Sequence, residues 1–496
     1  MTKETSLKQR TIKGLFWSFS DLVANQGIQF LIQIILARLL LPEHFGLVGM
    51  ILVLIAISNA LIESGMVQAL VREQNSTQAE YSTVFFFNLF MALALYGVLF
   101  CAAPIISDFF RTGELTLIIR ILSIGLIINS FGMIQRAQII KKLDFRKQTI
   151  VNIVAGIVSG VVAVICALCG LGVWSLVIKI LCMQLFQSVL FWYFNRWIPS
   201  FLFKYESFKK LFGFGSKLML AGLLSTFYSN IFNIIIGRMY SATRLGYYSN
   251  AQKLNEVASS SITSALQSVT YPVLSSIQND EEKLKYGFKK IIRISTFIHF
   301  PLMIGLAAIA NPLVYLLFGE KWMPMAIYFQ LLCIAGMMYP LHAINLNILQ
   351  VKGKANLYLY LSILKKIMLT IYIFIAIWLD TGVLGLLGAA ILDSYVSFLI
   401  NGFFSGKEIG YSSREQLKDV SFFYAASIIM GLVVYLSGMM LPGNTLVKLI
   451  PQVLVGLVLY WAMCTIAKVK ELREFSDIIS PIVKKLLGKK GTKLAQ

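Results

Sequence analysis

Acidic residues, histidines and prolines are scarce in this sequence, and each shortage closes off a kind of chemistry. The 496 residues include 23 Asp and Glu, 3 His, 11 Pro and 6 Cys, and charged side chains make up only 14%. His44, His299 and His342 lie far apart with no metal-ligand spacing, so a metal centre or ordinary hydrolytic chemistry has little to work with. All six cysteines (Cys101, Cys166, Cys169, Cys182, Cys333 and Cys464) fall within or beside apolar stretches. Cys166 and Cys169 have the spacing of a redox or metal pair, but in such surroundings they read as small residues of packed helices. No Gly-x-x-x-x-Gly-Lys loop is found, so the chain does not use ATP by itself, and no cofactor is expected. A large polar segment, such as a membrane glycosyltransferase or polymerase needs for its charged catalytic groups, is also missing.

Apolar surface, by contrast, is abundant. At 57% hydrophobic residues and a mean hydropathy of +0.75, the composition is that of an all-α polytopic membrane protein. Fourteen spans are expected, near 14–41, 46–71, 82–107, 115–137, 149–168, 173–194, 211–237, 246–275, 287–310, 325–349, 357–378, 383–404, 419–440 and 446–467. The first is too long for a signal peptide and lacks a small-residue cleavage site, so it is expected to stay as a helix. Basic residues concentrate in alternate loops and in both tails, as at Lys141-Lys142, Lys209-Lys210, Lys289-Lys290 and from Lys468 onward. That asymmetry predicts both termini on the cytoplasmic side. It also explains the net charge of +21 as a topology signal and an anionic-lipid contact, with no nucleic acid involved.

The chain repeats itself. Shifted by 200 residues, Arg38 and Phe45-Gly46 fall on Arg238 and Leu245-Gly246. Pro104 to Phe110 match Pro312 to Phe318 at a shift of 208. Six spans per half put both halves in the same orientation, as in transporters built from parallel repeats. The expected organisation is an N-terminal lobe at 1–200, a C-terminal lobe at 201–410, two accessory spans at 411–470 and a basic tail at 471–496.

Polarity inside the spans points to a function. Gln252, Glu256, Ser259, Thr263, Gln267 and Thr270 recur every three or four residues along the eighth span, which in lipid must face protein or water. Lys253 lies one turn before Glu256 and can pair with it. The first span adds Asp21, Asn25 and Gln29, the second Asn59 and Glu63, and the seventh Asn230 and Asn233. Interhelical hydrogen bonding is the plainer reading for isolated polar residues. Arg120 and Lys253 lie near the external face, where snorkelling competes with function, whereas Lys365 lies deeper. Glu256 and Asp393 fall near the midplane, where a carboxylate is costly unless paired, protonated or hydrated.

One decapeptide, Ala37-Arg38-Leu39-Leu40-Leu41-Pro42-Glu43-His44-Phe45-Gly46, resembles the opening signature of the bacterial polysaccharide transporter family. Lys142-Leu143-Asp144-Phe145-Arg146, the stretch from Leu245 to Leu254, the stretch from Thr270 to Gln278, and Phe318-Gly319-Glu320-Lys321-Trp322 follow in the same order. Together they are similar to the Wzx-like branch, part of the multidrug/oligosaccharidyl-lipid/polysaccharide flippase superfamily. The resemblance implies two six-helix lobes in a V around a central cavity, plus two C-terminal helices, in the bacterial inner membrane. It also implies alternating-access flipping of a polyprenyl-pyrophosphate-linked oligosaccharide, a lipopolysaccharide O-unit or an exopolysaccharide repeat. Partners would be that lipid-linked substrate, membrane lipids, and the polymerase and glycosyltransferases of the same pathway.

The residues suit such cargo. Gln252, Thr263, Gln267, Asn25 and Asn230 can meet sugars, and Arg120, Lys253 and Lys365 can meet pyrophosphate. A carboxylate that takes a proton or cation in one state remains as the coupling device, and Asp21, Glu63, Glu256 and Asp393 are the candidates. Asp21 matches by position an acid that does this in multidrug-and-toxin-extrusion relatives. The alternatives are a cation-coupled multidrug exporter of the same superfamily and, further off, a membrane glycan polymerase or transferase; in neither case is a metal site expected.

Overall fold

The computed structural model describes residues 24–73, 75–440 and 445–474, so Asp21 lies outside the described residues. Among those described, the regular structure is helical throughout. The chain runs through α1 (24–39), α2 (Pro42–Glu63), its short continuation α3 (Met66–Arg72) and the long α4 (Gln78–Phe110). An interrupted pair follows, α5 (Leu115–Leu122) and α6 (Ile124–Lys141), then α7 (Phe145–Leu168) and α8 (Val173–Asn195). Next come α9 (Tyr205–Ser229), α10 (Ile231–Met239), α11 (Ala242–Ser276), α12 (Glu281–Ala308) and α13 (Ala310–Phe318). After one 3-10 turn, a second interrupted pair appears, α14 (Met325–Gly336) and α15 (Tyr339–Val351). The chain closes with α16 (Ala355–Trp378), α17 (Gly382–Ile409), α18 (Ser413–Met440) and α19 (Thr445–Ile466).

Twelve helices among the described residues are long and apolar enough to cross a membrane, the pairs α5–α6 and α14–α15 each acting as one. This is a multi-pass membrane protein. The two remaining expected spans are α1, described only from residue 24, and α11, whose polar side chains keep it outside the set.

Two compact units divide the chain, one ending at Asn250 and the other starting at Ala251, within α11. The first keeps the linker after α8 and all of α9 because the start of α4 holds them. Ser200 and Lys204 donate their backbone N–H groups to Ser82 Oγ and Thr83 Oγ1 at 3.0 and 3.1 Å, and Trp197 Nε1 donates to Gln78 Oε1 at 2.6 Å. Phe208 packs on Phe87 and Phe212 with ring centroids 5.1 Å apart in each case. Deeper in the unit the repeat becomes a contact. A Cβ on Gly46 would stand 1.7 Å from the Ala242 carbonyl oxygen, and one on Gly246 would stand 1.9 Å from that of Pro42. Residues 42 and 242 are repeat mates, as are 46 and 246, so the starts of α2 and α11 touch reciprocally, backbone on backbone.

The second unit is tied at one end by charge. Arg293 on α12 reaches Asp419 on α18 (Nη1 to Oδ1, 3.2 Å) and grips Glu471, past α19, with two nitrogens. Lys289 adds a contact to Asp419 at 2.9 Å, and Lys290 one to Glu474 at 3.0 Å. Burial works against the charge of Glu471, but the Arg293 hydrogen bonds, a backbone hydrogen bond and the Arg293 charge together outweigh it and hold the carboxyl below its usual range.

Candidate functional site

The interruption between α14 and α15 organises the polar centre of the second unit. In an unbroken helix the Gly336 carbonyl would accept from residue 340 and the Ala335 carbonyl from residue 339. Residue 340 is proline and has no N–H to give. His299 on α12 supplies the missing donor, with Nε2 at 3.1 Å from the Gly336 oxygen. Ser394 on α17 does the same for Ala335, its Oγ donating at 2.7 Å. Having spent its proton there, Ser394 Oγ accepts from His342 Nε2 on α15 at 3.2 Å. The broken backbone is thus satisfied by side chains from two neighbouring helices, as a chain without water at its back requires.

Around this break the unit gathers charge. Lys365 on α16 acts electrostatically on both His342 and Asp393, the residue before Ser394. Tyr339, the first residue of α15, lies in the field of Glu256 on α11 and of Asp393, and keeps 39% of its surface accessible. Glu256 accepts from Gln252 Nε2 at 3.2 Å and pairs with Lys253 at 3.5 Å, both partners of that pair about half accessible. Three of the residues singled out from sequence, Lys365, Glu256 and Asp393, therefore share one electrostatic neighbourhood. Two that were not singled out, Tyr339 and His342, connect them. Pro340 inside an apolar run was the available signal for the break that puts them there.

The other candidates lie elsewhere. On α11, Thr263 spends its hydroxyl on the Ser259 carbonyl (2.8 Å) and Gln267 is exposed, while Ser259 and Thr270 are buried. In the first unit, Asn25 and Gln29 face α7 around Gly156, and Gln29 Nε2 also donates to Met183 Sδ at 3.6 Å. Asn230 sits at the joint of α9 and α10, donating to the Thr226 carbonyl at 2.9 Å and accepting from Asn233 at 3.2 Å. Arg120 stacks over the Phe100 ring at 4.5 Å and donates to its carbonyl at 3.3 Å. Glu63 has Arg136 of α6 as its charge partner, and one turn earlier Asn129 donates to Asn59 at 2.9 Å. Arg136, seven residues from Asn129 on the same helix face, is a further cation that periodicity could have marked. No cluster of metal-ligating side chains occurs among the described residues.

A bundle of apolar spans with interrupted helices and charges beside the breaks defines a polytopic membrane transporter. Residues 35–327 match the family model described as polysaccharide biosynthesis protein, more than half of the chain, and the protein belongs to that family. It is 28% identical over 414 residues to an uncharacterized membrane protein in the cps region of Klebsiella pneumoniae, covering 82% of this chain and 84% of that one. Against the lipopolysaccharide biosynthesis protein WzxC of Escherichia coli (strain K12) the identity is 25% over 446 residues, 88% of this chain and 90% of the other. The fold is shared with the lipid II flippase MurJ in its inward closed conformation, at a TM-score of 0.72 and 16% identity over 92% of this chain and 98% of that one.

Proposed function

We propose that the protein flips a polyprenyl-pyrophosphate-linked oligosaccharide, an O-unit or exopolysaccharide repeat, from the cytoplasmic to the external leaflet of the bacterial inner membrane. The observation that carries this reading is the group of Lys365, Asp393, Glu256, Tyr339 and His342 around an interrupted helix, in a member of a polysaccharide biosynthesis family. A sugar head needs hydroxyl, amide and aromatic surfaces, and a pyrophosphate needs a cation held where water is scarce. Lys365 is the first cation for that role because it lies in the charged group around the interrupted helix, and Lys253 and Arg120 stand behind it. Fourteen spans in two six-helix lobes plus an accessory pair, with both termini cytoplasmic, complete the reading. Glu256, Asp393, Glu63 and Asp21 are the coupling candidates, driven by a cation gradient or the membrane potential. The protein makes and breaks no bonds in its cargo; polymerase and glycosyltransferases of the pathway do that.

Reconstitution tests it. Liposomes carrying the protein and an inner-leaflet polyprenyl-pyrophosphate glycan should expose that sugar to an external glycosidase, and empty liposomes should not. Lys365→Gln should slow exposure about tenfold, the equivalent of losing one charged hydrogen bond of roughly 1.5 kcal/mol. Exposure no faster than in empty liposomes would overturn the reading, and drug efflux in its place would favour a multidrug exporter.

A further inference from the structure

Two neighbouring helices of the first unit, α6 and α8, enclose an apolar groove. They meet closely where Gly132 lies on Ser188: a Cβ on that glycine would stand 2.8 Å from Ser188 Oγ. Beside this contact Ile128, Phe131, Leu185, Val189 and Trp192 surround a cavity of about 450 Å³, a size that holds small ligands. Its polar side-chain groups are already spent. Ser188 Oγ donates to the Ile128 carbonyl at 2.7 Å, and Trp192 Nε1 donates to that of Phe131 at 2.9 Å. Phe131, Leu185 and Val189 stand 39 to 55% exposed, so the groove opens on the outer face of the bundle, where a bilayer fills it with hydrocarbon.

Past Trp192 the same two helices end in cations. Lys142, just after α6, donates to Asn195 Oδ1 at the end of α8 (3.1 Å), and Asn195 Nδ2 donates to Gln138 Oε1 at 2.8 Å. Arg196 follows, exposed like Lys142. Neither cation pairs with a carboxylate among the described residues, and Asp144, close by in sequence, is taken by Lys147 at 3.1 Å. From residue 128 to residue 142 the helix rises about 21 Å at 1.5 Å per residue, the depth of one leaflet's hydrocarbon and its headgroup layer. A chain lying in the groove thus has its head beside Lys142.

We propose that the α6–α8 groove binds one acyl chain of an anionic phospholipid, with the lipid phosphate on Lys142 and Arg196. Lys142 spends one ammonium hydrogen on Asn195 and keeps two for a phosphate oxygen, and Arg196 brings a guanidinium to the same end. An apolar groove with a basic end between two spans selects anionic over zwitterionic headgroups. It does not select a glycan. Asn195 has committed both its oxygen and its nitrogen, so the end offers cations but no free amide for a sugar. Trp192 stands between chain and head, its ring in the apolar wall and its N–H satisfied.

Native mass spectrometry of the purified full-length protein can test it, with palmitoyl-oleoyl-phosphatidylglycerol and the phosphatidylcholine of the same chains titrated separately. Wild type should bind the anionic lipid about tenfold more tightly. Lys142→Gln with Arg196→Gln should abolish that preference. Arg414→Gln with Lys418→Gln, which removes two exposed cations at the start of α18, should leave it intact. Val189→Trp, which fills the groove and leaves the cations in place, should weaken phosphatidylglycerol binding several-fold; Leu185→Trp serves if that variant does not fold. Equal binding of the two lipids by wild type, or equal loss in both charge variants, means adventitious binding only and overturns the site. Unchanged binding in the folded groove-filling variant overturns it too. Displacement of phosphatidylglycerol by farnesyl-diphospho-N-acetylglucosamine, but not by excess phosphatidylcholine, would assign the groove to the cargo instead.

Discussion

Lys253 and Glu256 show how far a single contact can be read. They face each other at 3.5 Å on α11, each about half accessible, and a pair so exposed is worth roughly 0–1 kcal/mol. Structural pairing alone therefore gives Lys253→Gln little cost in stability. If Lys253 also meets the cargo phosphate, the substitution slows transport while thermal stability stays within about 1 kcal/mol, and adding Glu256→Gln does not restore the rate. Restored transport in the double variant would make Lys253 a structural partner only. Glu471 offers a cleaner electrostatic test outside the spans. Its carboxyl is held down in the folded protein, so its contribution is complete above the unfolded value of about 4.3 and is lost as pH falls through the lower folded value. Thermal unfolding followed downward from neutral pH should show wild type losing stability in that acid range. Glu471→Gln should start lower at neutral pH and fall less steeply. Local spacing was enough to read the Lys253–Glu256 pair from sequence. Tyr339 and His342 were not legible, because their meaning depends on Ser394, Asp393 and Lys365, contributed by two later helices.

At the level of helices, the repeat was legible and its consequence can be tested. Gly46 and Gly246 align at a shift of 200, and the structure turns that alignment into two mutual approaches too tight for any Cβ. Gly46→Ala or Gly246→Ala must push α2 and α11 apart, costing about 1–3 kcal/mol by overpacking, and each should lower the unfolding temperature measurably. Gly97→Ala on α4 and Gly388→Ala on α17 are the controls. A Cβ there meets nothing within 4 Å, so the helix should gain up to about 1 kcal/mol from the better helix former. Equal behaviour of all four variants would show that the reciprocal contact does not constrain the fold. The α14–α15 break was illegible for a different reason. Its apolar periodicity runs on through residues 337–338, and Pro340 alone does not distinguish a kinked helix from two helices. What makes the break tolerable is His299 and Ser394, and nothing in the local sequence announces partners from α12 and α17.

For the whole molecule, the question is whether α11 crosses the membrane, since every later loop changes side with the answer. The helix has 35 residues, about 52 Å at 1.5 Å per residue, more than the ~30 Å of hydrocarbon. Its polarity keeps it out of any set chosen by hydropathy, yet a polar helix can span where protein or water shields it. Charge argues for crossing: Lys283, Lys285, Lys289, Lys290 and Arg293 follow its C-terminal end, against Arg238 and Arg244 at the other. A reporter placed after Lys210 should read cytoplasm, one between Thr112 and Leu115 exterior, and one after Asn279 cytoplasm again. The first two establish the sidedness of the repeat. The third isolates α11, because with Lys210 cytoplasmic α9 and α10 would carry the chain outward and only a crossing α11 would bring it back. An exterior reading after Asn279 would reduce the count to thirteen spans and reverse every helix after α11 relative to its mate in the first half, removing the parallel repeat on which the proposed mechanism is built.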